Sequence, residues 1–255
     1  MRLACAQFTA RAGDVAANLA TIDSLAATAA QAGAGLLVLP ELAVTGYARP
    51  GIVIPLAEPI PGPSTDRLAE VARTRGLALA CGIIESEPST GRLYNTMLLL
   101  DRDGRELLRY RKVHLWDTEK SWATAGAAFP VAPLGGLTVG QWICYDSRFP
   151  ETARTLAKAG AQVALAAAAW LGPADEWELA LRARAMDNGI FVAGSVHLGS
   201  AFHGTALIVD PHGRVLARGP AHGDAIISAE LNPATITEFN QRLPLLSHLR
   251  PESYR

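Results

Sequence analysis

The chain is expected to fold as a layered α/β protein with mixed sheets. Three observations predict this. Short, continuous apolar runs recur along its 255 residues, helical patterns lie between several of them, and two hairpin signatures interrupt the alternation. Continuous runs suit strands buried on both faces, and strand–helix–strand units joined to hairpins imply a sheet that is not purely parallel.

The strand-like segments are 3–8, 35–40, 77–84, 94–101, 106–113, 137–145, 162–169, 190–196, 205–210 and 225–231. Asp14 can cap a helix through Gln31, with Val15, Leu19, Ile22 and Leu25 on one side. Ser64 or Thr65 can cap a second helix that runs to Arg75. Pro150 suits the first turn of a third, and Asp175 can open a fourth that reaches Asp187. "LLLDRDGRELL" (98–108) and "LIVDPHGRVLA" (207–217) share one plan, in which Asp and Gly supply turn chemistry between strands. Their likeness hints at two similar halves. The Pro-rich stretch 48–65 reads as a surface loop near a site, so residues 1–255 are taken as one domain, with 238–255 as its tail.

Composition excludes several classes. The formal net charge is −1 and there is no dense basic run, which argues against a nucleic-acid or anionic-membrane partner. The longest apolar run, 159–172, is shorter than the roughly 20 residues that a membrane span requires. The start, "MRLACAQF", lacks a signal peptide's apolar stretch, so the chain is expected to be soluble and cytoplasmic. Three widely spaced cysteines suggest neither a disulfide framework nor a zinc site. His114, Asp117 and Glu119 are close in sequence but match no standard metal spacing, so no metal and no cofactor are expected.

The chemistry gathers at strand ends. Cys144 closes the run 137–144 and is followed by Tyr145, Asp146, Ser147 and Arg148 before Phe149-Pro150. This is where a strand-to-helix elbow would hold a nucleophile, although a thiol there could also pack as a small hydrophobe. Glu41 follows "GLLVLP", where a carboxylate is either partly desolvated, and the better a base for it, or a surface acid capping a loop. Strand alternation puts Leu108, Tyr110 and Lys112 on one face; if that face is buried, Lys112 needs a carboxylate or an oxyanion. Cys5 and Cys81 lie inside apolar strands and read as structural.

Glu in "LPELAVTGY", Lys in "YRKVHLWDTE" and Cys in "ICYDSRFPE" stand in that order, each at the end of an apolar run. With "ACAQF", "RARAMDNGIFV" and "GTALIVDPHGRVLA" around them, the chain resembles the carbon–nitrogen hydrolase (nitrilase) superfamily over roughly residues 3 to 232. The resemblance implies a four-layer α-β-β-α sandwich with two mixed sheets. It implies that Cys144 attacks, Glu41 moves protons and Lys112 stabilises an oxyanion. It makes Glu119, seven residues past the lysine, an additional acid that orients Lys112 or the substrate amide, and Glu85 a structural acid near the triad.

"CYDxRFPE" is closest to amidases of the omega-amidase type, so the expected substrate is a small amide. An N-carbamoyl compound or a nitrile on the same triad is the alternative, and a scaffold that keeps the fold is the non-enzyme one. Tyr47, Tyr145, Phe149 and Trp170 are expected near the substrate. Arg148 either grips a substrate carboxylate or forms a structural ion pair with Glu151 or Asp146. Gly189-Ile190 departs from the omega-amidase pattern. Arg182 and Arg184 are expected to pair with carboxylates, and His203 and His212 to lie in surface loops. Leu243, Leu245, Leu246 and Leu249 are expected to pack on a partner, giving a homodimer or a higher even oligomer.

Overall fold

The computed structural model describes residues 1–254. In chain order its elements are β1 (Arg2–Phe8), α1 (Val15–Gln31), β2 (Leu36–Val38), α2 (Pro50–Val53), α3 (Pro63–Arg75), β3 (Ala78–Glu87), β4 (Arg92–Leu100), β5 (Glu106–Arg111) and β6 (Val131–Leu134). There follow β7 (Leu137–Ile143), α4 (Pro150–Lys158), β8 (Val163–Ala168), α5 (Ala174–Asn188), β9 (Phe191–His197), β10 (Leu207–Val209), β11 (Val215–Arg218), β12 (Ala225–Glu230) and α6 (Pro233–Arg242).

The strands form two mixed sheets. One runs β12-β1-β2-β3-β4-β5 and the other β6-β7-β8-β9-β10-β11. Read in those orders, both show the same succession of pairings: antiparallel, parallel, parallel, antiparallel, antiparallel. The two hairpin signatures occupy corresponding places, β4-β5 and β10-β11, so the halves hinted at by the sequence share one topology. Among the described residues the two sheets are joined by strand pairing only where the ends of the interior strands β1 and β9 meet, at Gln7–Val196 and Phe8–His197.

Strand alternation builds the layers. Leu3, Cys5, Leu36, Val38, Ala78, Ala80, Met97 and Leu99 face the second sheet, where β8 (Val163–Ala168) presents mostly alanine. Their neighbours Ala4, Ala6, Phe8, Leu37, Leu79, Cys81 and Leu98 pack on Ile22 and Ala26 of α1 and on Leu68 and Val71 of α3. Leu156 of α4 and Trp177 and Leu181 of α5 cover the far side of the second sheet, over Gly140 and Gly194. The result is the expected α-β-β-α sandwich.

Several boundaries differ from the sequence reading. Gly62, not Ser64 or Thr65, precedes α3, with Pro63 in its first turn. Thr65 reaches back to the Gly62 N–H at 2.8 Å, while the Ser64 N–H and hydroxyl both bind Glu58. Helix α5 starts at Ala174 after Pro173, so Asp175 lies in the first turn, where a negative charge favours the helix. The stretch 48–65 holds the short α2 and a 3-10 turn, Ile54–Leu56. Strand β7 stops at Ile143, one residue before the cysteine. Leu246 of the tail packs against the chain's own core, whereas Leu243 stays 44 % exposed.

Candidate active site

Glu41, Lys112 and Cys144 follow the last residues of strands β2, β5 and β7. Each position has a local cause. Leu42, next to Glu41, has φ 46° and Cys144 also has φ 46°, a region that side chains with a Cβ rarely enter. Strain of this kind is costly and gathers at functional positions. The loop carrying Glu41 lies so close to β3 that a Cβ on Gly82 would sit 2.3 Å from the Leu42 nitrogen. Glycine there admits the loop. For Lys112 the alternation holds: Leu108, Tyr110 and Lys112 are all buried.

The elbow at Cys144 is a 3-10 turn, Cys144–Arg148, held from behind by Asp146. One Asp146 oxygen accepts from the Ile143 N–H at 2.9 Å and from the Tyr110 hydroxyl at 2.6 Å. The other accepts from the His114 N–H at 2.9 Å and lies 2.7 Å from His114 Nδ1. The elbow is thereby tied to the segment that carries Lys112.

Glu41, Lys112 and Glu119 form one buried network. Lys112 Nζ lies 2.7 Å from Glu41 Oε1 and 2.8 Å from Glu119 Oε2. Asn95 Nδ2 donates to Glu41 Oε1 at 2.7 Å and to Glu119 Oε1 at 2.9 Å. Glu119 Oε2 also accepts from the Trp116 N–H at 2.8 Å. The Ala169 N–H donates to Glu41 Oε2 at 2.9 Å, and the Ala169 carbonyl accepts from Cys144 Sγ at 3.7 Å. Residue 169, just past β8, thus touches both acid and thiol. His197 Nε2 lies 2.6 Å from the Glu41 carbonyl oxygen.

The charges set the protonation states. Burial and the Glu41 charge push the Cys144 thiol well up, against the opposing pull of Lys112, so it rests protonated. Burial alone would depress Lys112, but Glu41, Cys144 and Glu119 together raise it well above its ordinary value, so it stays cationic. Burial raises Glu119 too, with the Lys112 charge opposing and the Glu41 charge adding. Burial pushes His197 down to about 4, which leaves it neutral near pH 7. Cys5 and Cys81 are fully buried thiols raised by burial, as structural cysteines should be.

Above this network opens a cavity of about 230 Å³ lined by Trp116, Cys144, Tyr145, Arg148, Ala169, Trp170, Leu171 and Gly172. Tyr145, Arg148 and Trp170 line it together with Cys144. Phe149 and Tyr47 are not in its lining. Phe149 stacks on His114 with centroids 3.7 Å apart and meets Tyr145 edge-on at 5.2 Å, and Tyr47 meets Phe202 edge-on at 6.0 Å. Arg148 pairs with Glu176, not with Glu151 or Asp146. Arg182 and Arg184 lie near Glu178 and Asp187, at 3.5 and 3.7 Å. His212 packs edge-on to Phe239 at 5.1 Å. Among the described residues no group of three or more His, Cys, Asp or Glu is placed to hold a metal. None of their helices is long and apolar enough to cross a membrane.

The carbon–nitrogen hydrolase profile matches residues 2–241. The chain belongs to that family. It is 35 % identical to an omega-amidase of Xenopus tropicalis, over 93 % of this chain and 91 % of the relative. It is also 35 % identical to an (R)-stereoselective amidase of a Pseudomonas species, over 85 % and 80 %. Among solved structures it is similar to an amidase from Nesterenkonia sp. AN1, with a TM-score of 0.85, 32 % identity and coverage of 99 % of this chain and 97 % of that one. A variant of that amidase carries the acetamide moiety of fluoroacetamide covalently on its active-site cysteine. This family member is therefore an amidase-type hydrolase of the nitrilase superfamily.

Five contributors escaped the sequence reading: Asn95, Trp116, Asp146, Ala169 and His197. Asn95 left a signal, as a polar residue inside the otherwise apolar "LYNTMLLL". Asp146 read as one of several polar residues behind the cysteine, and nothing marked it as the clamp.

Proposed function

We propose that this chain is a thiol amidase that hydrolyses a small carboxamide to carboxylic acid and ammonia, with Cys144 as nucleophile, Glu41 as proton carrier and Lys112 as oxyanion donor. The observation that carries this is an acceptor count at Glu41. A carboxylate offers about four acceptor positions. Lys112, Asn95 and the Ala169 N–H occupy three. Among the described residues no donor fills the fourth, on Oε2, the oxygen that accepts from the Ala169 N–H, and the Ala169 carbonyl accepts from Cys144 Sγ.

The steps balance. Glu41 takes the thiol proton as sulfur attacks the amide carbon, giving a tetrahedral oxyanion. Lys112 Nζ and the Tyr145 N–H, whose place early in the 3-10 turn leaves it outside that turn's own bonds, stabilise the oxygen. Glu41 returns the proton to nitrogen, ammonia leaves and a thioester remains. Water then gives a proton to Glu41 and attacks the thioester, the acid departs and the thiolate recovers its proton. Glu119 and Asn95 fix Lys112 and Glu41 against each other throughout. The Trp116, Tyr145 and Trp170 walls suit a small, largely apolar acyl group.

The test is ammonia release from a panel of small amides, nitriles and N-carbamoyl compounds by the wild type and Cys144→Ala. Release from short amides that vanishes in the folded variant is the expected result; release that survives the substitution would sink the proposal. The reading also takes the protein as a homodimer or higher even oligomer in a compartment that keeps thiols reduced. Support for association comes from apolar residues on its surface, with Leu179 68 %, Met186 50 % and Leu243 44 % exposed. A sedimenting monomer alone would refute it.

A further inference from the structure

One charged side chain lines the cavity, and it is already matched. Arg148 lies in the elbow turn behind Cys144, and its guanidinium carbon sits 4.7 Å from the centre of the Trp170 ring. Its Nη2 pairs with Glu176 Oε2, from the first turn of α5. The two side chains are 41 % and 43 % exposed, which puts the pair at the mouth and not in the floor. The pair lies against the backbone of Gly172, where an added Cβ would come 2.7 Å from Arg148 Nη2 and 3.2 Å from Glu176 Oε2. The remaining walls are the aromatic and apolar side chains of Trp116, Tyr145, Trp170, Ala169 and Leu171.

We infer that Glu176 is a specificity-determining residue: by neutralising Arg148 at the mouth of the cavity it selects uncharged amides over amides that carry a carboxylate. This rests on the amidase reading above and names its substrate class. A carboxylate entering the cavity has one cation to bind. It must either displace Glu176 from Arg148 or share the guanidinium with Glu176 beside it, and two like charges at one site repel. An uncharged acyl group meets only aromatic and aliphatic walls and disturbs nothing. Discrimination of this kind comes from a feature set against the wrong ligand as much as from contacts to the right one. Gly172 is part of the device, because a side chain there would push the ion pair off the wall.

The experiment measures kcat/KM for isobutyramide and for succinamate, the monoamide of a four-carbon dicarboxylic acid. It compares the wild type, Glu176→Gln and the Arg148→Gln/Glu176→Gln double variant. The wild type is expected to favour isobutyramide. Glu176→Gln is expected to raise the succinamate-to-isobutyramide ratio about threefold to fivefold, the order of one partly exposed charge pair, mainly through KM for succinamate. The double variant is expected to lose that gain, because the freed guanidinium is its source. Wild-type turnover of succinamate equal to or above that of isobutyramide overturns the inference alone, as does a ratio that Glu176→Gln leaves unchanged. Absence of ammonia from every amide, with the protein folded and Cys144 reduced, overturns the amidase reading and this inference with it.

Discussion

Glu41 lies in the loop just past β2 and Glu85 near the end of its partner β3, and both are buried, yet they are equipped differently. Glu85 accepts four hydrogen bonds: Oε1 from Arg109 at 3.0 Å and Arg111 at 2.6 Å, Oε2 from Thr96 at 2.7 Å and Arg111 at 2.9 Å. Its acceptor capacity is spent, and two cations face one buried acid. Among the described residues Glu41 keeps one acceptor position open, and the one cation paired with it, Lys112, is shared with Glu119. The same two segments supply both clusters. Asn95 and Lys112 turn to Glu41, and their immediate neighbours Thr96 and Arg111 turn to Glu85, as the period of two in a strand dictates. The difference is one of saturation: Glu85 is filled by donors, while Glu41, the acid proposed to carry protons, is held by fewer.

Substitutions can break or sharpen that contrast. The largest effect is expected from Lys112→Met. It strands two buried carboxylates and should cost about 3–5 kcal/mol of stability as well as activity. Chemical denaturation and ammonia release measure the two, and a variant as stable as wild type would mean the acids are neutral without the lysine. Next comes Glu41→Gln, expected to lose about 10²–10⁴-fold in kcat with little change in fold. Circular dichroism beside an activity assay separates those effects, and near-normal kcat would remove Glu41 from the mechanism. Glu85→Gln should do the reverse, costing about 1–3 kcal/mol while kcat stays within a few-fold. A severe loss of kcat in a variant of unchanged stability would erase the distinction.

The smallest expected effect is in acid. Burial pushes the Glu85 carboxyl up, but hydrogen bonds from Arg111 and Thr96 and the charges of Arg111 and Arg109 outweigh it and hold it below its ordinary value. A depressed acid contributes stability that is fully present above the unfolded pKa, near 4.5, and is lost as pH falls through the folded one. Stability of the wild type minus that of Glu85→Gln should therefore shrink as pH drops below about 4.5. A constant difference across that window would show that Glu85 stabilises by shape and not by charge.

Much of this was legible in the chain because the runs that make the strands are short and have recognisable ends. Pro40-Glu41, Arg111-Lys112 and Ile143-Cys144 each end an apolar or alternating run, and the motifs around them resembled one family. What escaped depends on partners distant in sequence or on weak patterns. Asn95 has a role only because β4 lies between β3 and β5. Strand β6 has four residues including Pro133, and α6 buries only Ile236 and Phe239, so neither carries a periodic signal. Arg148 could be read as an anchor or an ion pair, and its partner Glu176, 28 residues on, could not be chosen from the sequence.

The narrow seam between the sheets bears on how the protein comes into being. Glu41 and Lys112 follow strands of one sheet and Cys144 a strand of the other, and the described strands of the two sheets share only two pairs, Gln7–Val196 and Phe8–His197. During synthesis the first sheet cannot be completed until β12, its last strand, has been made. A half-made chain therefore carries the acid and the lysine without an armed thiol beside them. Under the mechanism proposed above, turnover requires residues from both sheets, so activity would read out their joint assembly.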